Sequence, residues 1–118
     1  MQYLLLIYGS EAEMAKRSPA EAGAIVKEYR SFTESIVQSG HFKGADRLRP
    51  TSTASTVRVR NGKAVVTDGP FAETREQLGG YYMVEAKDLD EACGIAARIP
   101  TASNGSIEVR PIWPVEQY

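Results

Sequence analysis

The chain has 118 residues, 42% of them hydrophobic and 25% charged; that fits one domain with its own core and argues against disorder. With 14 basic and 15 acidic residues the net charge is −1 and there is no block of like charge, so the basic field of a nucleic-acid binder is absent. A single cysteine, Cys93, excludes an internal disulfide and a cysteine-rich zinc site, and a single histidine, His41, gives no basis for a histidine metal centre.

The first apolar run, Tyr3-Leu4-Leu5-Leu6-Ile7-Tyr8, is too short to span a bilayer and lacks the features of a signal peptide. A lone thiol without an export signal places the expectation in the cytoplasm, away from membranes. As a strand, this run sends Leu4 and Leu6 to one face and Leu5 and Ile7 to the other. Both faces must therefore be covered.

Gly9 to Arg17 is polar and reads as a loop. Ser18-Pro19-Ala20-Glu21 is a capping-box start with proline at the first helical position. Ala22, Ile25, Val26, Tyr29, Phe32, Ile36 and Val37 follow at helical spacing, and Gly40 supplies a left-handed stop. Ala45 to Pro50 is expected as a short strand. Thr56-Val57-Arg58-Val59-Arg60, Asn61-Gly62 and Lys63-Ala64-Val65-Val66-Thr67 form a hairpin signal, because Asn-Gly accepts the positive φ of a two-residue turn. Ala72 to Gly79 is polar, with room for at most a helical turn, and Gly80 to Ala86 returns to strand. Asp88-Leu89-Asp90-Glu91 opens a second helix whose expected buried face is Leu89, Ala92, Cys93, Ala96 and Ala97. The last strand, Ile107 to Trp113, carries Pro111, which points to an edge or an end.

This order is the βαββαβ plan of an α+β, ferredoxin-like sandwich with an extra β-hairpin, in one domain spanning 1–118. Two helices cover one face of the sheet. The other face is expected to be covered by a second copy, giving a homodimer, or by the hairpin and the 72–79 loop.

The stretch Val66-Thr67-Asp68-Gly69-Pro70-Phe71-Ala72-Glu73-Thr74-Arg75-Glu76-Gln77-Leu78-Gly79-Gly80-Tyr81 resembles the DGPF family, which is grouped with the YCII-related domains. The opening strand, the hairpin, Ala97-Arg98-Ile99-Pro100 and Val109-Arg110-Pro111 fit as well, so the resemblance covers essentially the whole chain. It implies a dimeric α/β barrel, in which two ferredoxin-like sheets pack face to face. It also implies a link to transcription, since some such domains occur beside or fused to sigma factors of the extracytoplasmic-function type. The wider group's His and Asp would fall near Tyr29 and Ile99, and neither residue can replace a His–Asp pair in proton transfer.

Among candidate residues, Asp68 precedes Gly-Pro and reads either as a carboxylate fixing the turn or as one at a pocket mouth near Arg47 or Arg49. Glu73, Arg75 and Glu76 lie on a polar loop of the kind that contacts ligands or merely stays solvated. Arg47 with Arg49, and Arg58 with Arg60, are alternating pairs suited to an anionic ligand or to a charged sheet edge. His41 reads as a helix C-terminal imidazole and Cys93 as buried packing. Tyr29, Tyr81, Tyr82 and Trp113 read as core or interface aromatics. Two functional readings follow, neither requiring a cofactor. The first is a non-catalytic module for a small anionic ligand or a protein partner such as a sigma factor. The second is a cofactor-free enzyme with Asp68 or Glu76 as general base.

Overall fold

The computed structural model describes Met1–Tyr118. The elements are β1 (Gln2–Gly9), α1 (Glu11–Met14), α2 (Pro19–Gln38), β2 (Phe42–Arg47), β3 (Ser55–Arg60), β4 (Lys63–Asp68), β5 (Gln77–Glu85), α3 (Leu89–Ala96) and β6 (Ser106–Pro111). The main sheet has the order β2-β5-β1-β6, and β3 pairs only with β4. All pairings are antiparallel. Without the β3–β4 insertion this is the ferredoxin-like arrangement, with the first and third sheet strands at the centre. Pro111 lies on β6, an edge strand, where its missing N–H interrupts no ladder.

The core lies between the sheet and the helices. Tyr3, Leu5 and Ile7 of β1 and Tyr82 and Val84 of β5 meet Phe32 and Ile36 of α2, Ala92, Ile95 and Ala96 of α3, and Ile99. Phe32 and Tyr82 pack edge to face with ring centroids 5.1 Å apart. The opposite side chains of the central strands, Leu4, Leu6 and Tyr8 with Tyr81 and Met83, lie on a face that no element of the chain covers, and they remain part-exposed.

The helix starts follow the capping chemistry. Ser18 Oγ accepts from the Glu21 amide and the Glu21 carboxylate accepts from the Ser18 amide. The Asp88 carboxylate accepts from the Glu91 amide, but Glu91 reaches back one residue further, to the Lys87 amide at 3.0 Å. Asn61 (φ 53°) and Gly62 (φ 76°) take the positive φ of the hairpin turn.

Several expectations are corrected. The 9–17 segment is not all loop: Ser10 caps the one-turn helix α1 by accepting from the Glu13 amide. The second strand starts earlier than Ala45 because Phe42 pairs with Val84, and it ends at Arg47, opposite Gly80. The 72–79 loop holds no helix, and Gln77 to Gly79 already belong to β5. Only Phe32 and Ile36 of the α2 stripe are buried, because the N-terminal half of that helix stands over a cleft. Cys93 is exposed, as are Leu89 and Ala97. The buried stripe of α3 is Ala92, Ile95 and Ala96, continued by Ile99, so the helix is rotated relative to the expected face.

The hairpin neither joins the main sheet nor covers its open face. Val57, Val59 and Val66 are 61–64% exposed. The radius of gyration, 16.4 Å, exceeds the roughly 13.5 Å of a compact chain of this length, as a projecting arm requires. No helix is long and apolar enough to cross a membrane.

Candidate functional site

A cleft of about 640 Å³ opens between the N-terminal half of α2 and the sheet. Ile7, Ala45, Gly79, Gly80 and Tyr82 border it on the sheet side, and Ala22, Ile25, Val26 and Tyr29 on the helix side. Such mixed walls suit a small organic ligand, apolar over most of its surface and held by a few polar groups.

Glycines make room for it. A Cβ on Gly80 would sit 2.7 Å from the Asp46 carbonyl oxygen, so only glycine lets β2 approach β5 here. Gly79 is skipped in the β1–β5 register, which passes from Ile7↔Gly80 to Tyr8↔Leu78. That bulge turns the Gly79 carbonyl toward the Leu48 amide, which donates to it at 2.9 Å. The Gly-Gly pair of the long sequence motif is thus part of the cleft wall.

Two guanidinium groups border the cleft: Arg17, in the loop before α2, and Arg47, at the end of β2. Neither makes an ion pair, since the four in the molecule are Met1–Glu85, Lys16–Glu13, His41–Glu91 and Arg110–Glu108. Two unpaired guanidinium groups beside an apolar cavity favour a carboxylate, sulfonate or phosphate ligand, because the planar fork matches such anions. The Tyr29 hydroxyl lies 2.5 Å from Thr101 Oγ1, which joins the helix to the turn after α3 at the cleft wall. On the uncovered face of the sheet the Tyr81 hydroxyl donates to Asp46 at 2.5 Å. That bond to a carboxylate, then partial desolvation and the negative charge itself, raise the Tyr81 pKa above 10.0. Burial raises that of Tyr82 against the opposing hydrogen bond with Thr33.

Of the residues singled out from the sequence, Arg47 alone of the ligand candidates lines the cleft. Arg49 is exposed beyond the end of β2. Asp68 ends β4 opposite Ser55, exposed, and its carboxylate accepts no hydrogen bond. The turn is held instead by the Gly69 amide donating to Ala54 O at 2.7 Å and by the Thr56 hydroxyl donating to Gly69 O at 2.8 Å. Glu73 and Arg75 are exposed, and Glu76 accepts from Ser106 Oγ at 2.8 Å. Arg17 was not legible as a cleft residue; its one sequence sign is its place directly before the Ser18 cap.

His41 stands apart from the cleft, with Nδ1 2.6 Å from Ser39 Oγ and Nε2 3.2 Å from Glu91 Oε1. The Glu91 pKa is lowered, first by the Lys87 amide that it accepts and then by His41, against partial desolvation. No group of three or more His, Cys, Asp or Glu residues is placed to hold a metal.

The fold and cleft together define a ferredoxin-like α+β domain with an arginine-bordered pocket under its long helix. By sequence the chain belongs to the YCII-related domain family, whose model matches residues 1–116. It is 38% identical over 114 residues to an uncharacterised protein of Rhizobium meliloti (strain 1021), covering 95% of this chain and 92% of that protein. At the positions where the wider group's His and Asp would fall, Tyr29 borders the cleft and Ile99 is 1% exposed in the core. This cleft therefore has no His–Asp pair.

Proposed function

We propose that this protein is a non-catalytic module that binds a small, largely apolar anion in the cleft under α2, and that it works as a homodimer. The observation that carries the reading is the pair of guanidinium groups, Arg17 and Arg47, unpaired at the rim of a cavity of about 640 Å³. The cavity suits one drug-sized molecule. The only histidine is engaged elsewhere. The alternative of a cofactor-free enzyme has less support, because Asp68 and Glu76 both lie outside the cleft.

The uncovered sheet face, with Leu4, Leu6 and Met83 at its centre, supports association with a second copy. A protein partner that reads the liganded state, of the sigma-factor kind implied by the resemblance, completes this reading.

Isothermal titration with phenyl phosphate, benzoate and inorganic phosphate tests it. We expect the aryl anions to bind and phosphate alone to bind less well. Replacing Arg17 and Arg47 together by Gln should weaken binding at least tenfold, since a hydrogen bond to a charged group contributes about 1.5–3 kcal/mol. Equal binding by the double variant, or no binding of either aryl anion, would reject the cleft as an anion site.

A further inference from the structure

The two ends of the cleft under α2 differ in chemistry. Arg47 ends β2, at one edge of the sheet. It pairs with Gly80, and Ala45, two residues earlier, pairs with the buried Tyr82. Strand alternation therefore turns Ala45 and Arg47 toward the helix side. Tyr29 of α2 and Thr101, in the turn Pro100–Ser103, border the other end. Thr101 stands over the end of β1, since a Cβ on Gly9 would lie 3.3 Å from its Cγ2. Only β5 separates β2 from β1, so the two ends are two strand spacings apart, roughly 10 Å. Arg17 precedes the start of α2, and Tyr29 lies roughly 15 Å along the helix axis from that start.

A proton count distinguishes the hydroxyl pairs at this wall. Each hydroxyl has one proton to donate. Thr33 donates to the Tyr29 carbonyl oxygen at 2.8 Å, so the Tyr82 hydroxyl must donate its own to Thr33, 2.6 Å away. That pair has no proton left. The Tyr29 and Thr101 hydroxyls share one proton across 2.5 Å, and neither donates to a third group of the protein. One O–H therefore stays free for an oxygen atom at the end of the cleft away from Arg47. Between the ends, small residues widen the slot: Gly79 and Gly80 on the sheet side, Ala22 and Gly23 on the helix side. Nothing in the chain requires glycine at position 23. It lies inside α2 without a positive φ, and a Cβ there would meet nothing within 4 Å. Glycine weakens a helix at such a position. An occupant lying against the helix backbone accounts for it.

We infer that the ligand is a flat, elongated anion bound in one orientation. Its charged group lies at the arginine end, its ring lies between Gly23 and the Gly79-Gly80 bulge, and a hydroxyl or carbonyl oxygen at its far end accepts the free proton of the Tyr29–Thr101 pair. The inference rests on the anion-site reading above and adds the shape of the ligand and its second polar end. One ring with a short link to the charged group spans the distance between the two ends. A few placed polar groups around an apolar slot are what fix the orientation of a small ligand.

Isothermal titration of 4-hydroxycinnamate against 4-methylcinnamate tests it, because the two have the same shape and only the first has a polar atom at its far end. Wild type should bind the hydroxyl compound about fivefold more tightly, the effect of one neutral hydrogen bond. In Tyr29→Phe/Thr101→Val, which removes both hydroxyls, that preference should vanish while 4-methylcinnamate still binds. Gly23→Leu should melt no lower than wild type, because leucine favours the helix. It should nevertheless weaken 4-hydroxycinnamate about tenfold by filling the slot. Equal binding of the two cinnamates by wild type, a preference kept in the double variant, or unchanged affinity in Gly23→Leu would overturn the oriented site. Benzoate or phenyl phosphate binding that depends on Arg17 and Arg47 would then leave the anion reading standing. Failure of all four anions to bind wild type would overturn both.

Discussion

Replacing Gly80 by Ala tests the packing that shapes the cleft. The added methyl would stand 2.7 Å from the Asp46 carbonyl oxygen and 3.4 Å from Arg47 Cα. The obstacle is backbone, so no side chain can swing aside. β2 is an edge strand and can shift outward, which keeps the cost in the middle of the usual overpacking range, about 2 kcal/mol. Unfolding entropy is about 2.1 cal/mol/K per residue near 60 °C, so for this chain the loss corresponds to a fall in Tm of roughly 8 °C. Gly44→Ala is the control on the same strand pair, because a Cβ there meets nothing within 4 Å. It should be neutral or stabilising by up to about 1 kcal/mol, through the reduced freedom of the unfolded chain. Differential scanning calorimetry of both variants decides the matter. A Gly80→Ala protein that melts within about 2 °C of wild type, well below the shift expected from the clash, would refute the close approach of β2 to β5.

Other outcomes can be checked on the same protein. Ile36→Ala empties a fully buried site in the core and should cost about 2–5 kcal/mol in urea denaturation. Ser18→Ala removes the acceptor for the Glu21 amide and should cost about 1 kcal/mol. Tyr29→Phe breaks the contact with Thr101 and should cost about 1 kcal/mol, while changing aryl-anion affinity less than loss of the two arginines. Glu91 titrates below its ordinary value of 4.5 in the folded state, so its contribution is complete above that pH and is lost as pH falls through the folded value. The difference in urea midpoint between wild type and Glu91→Gln should therefore shrink as pH falls below 4.5.

The framework was legible where a local rule has one outcome. Asn61-Gly62 admits little but a two-residue turn, and Ser18 with Pro19 and Glu21 admits little but a helix start. The unbroken apolar run from Leu4 to Ile7 reads as a strand with both faces covered; β1 lies between β5 and β6 with its Leu5 and Ile7 side buried, while its Leu4 and Leu6 side is left uncovered within the chain. What escaped depends on distance in sequence. A spacing of three and four residues marks α2 as amphipathic but cannot say that half its apolar stripe borders a cavity rather than packed side chains. The face of α3 was misjudged because Ala, Cys and Gly surround its axis, and small residues give weak contrast between sides. Arg17 became a candidate only when the fold brought it to the same cleft as Arg47. Asp68, conspicuous in its motif, lies on the projecting hairpin because the insertion carries that part of the motif away from the sheet.

The position of β1 bears on how the chain acquires its structure. Its eight residues pair with β5, some 75 positions later, and with β6, about a hundred positions later. At a synthesis rate of roughly 5–20 residues per second, that strand waits several seconds on the ribosome before its last neighbour exists. The longest element with purely local contacts, α2, and the β3–β4 hairpin can form meanwhile. The central strand is then the most hydrophobic segment of an unfinished sheet, so this chain should depend on holdase protection more than its small size suggests.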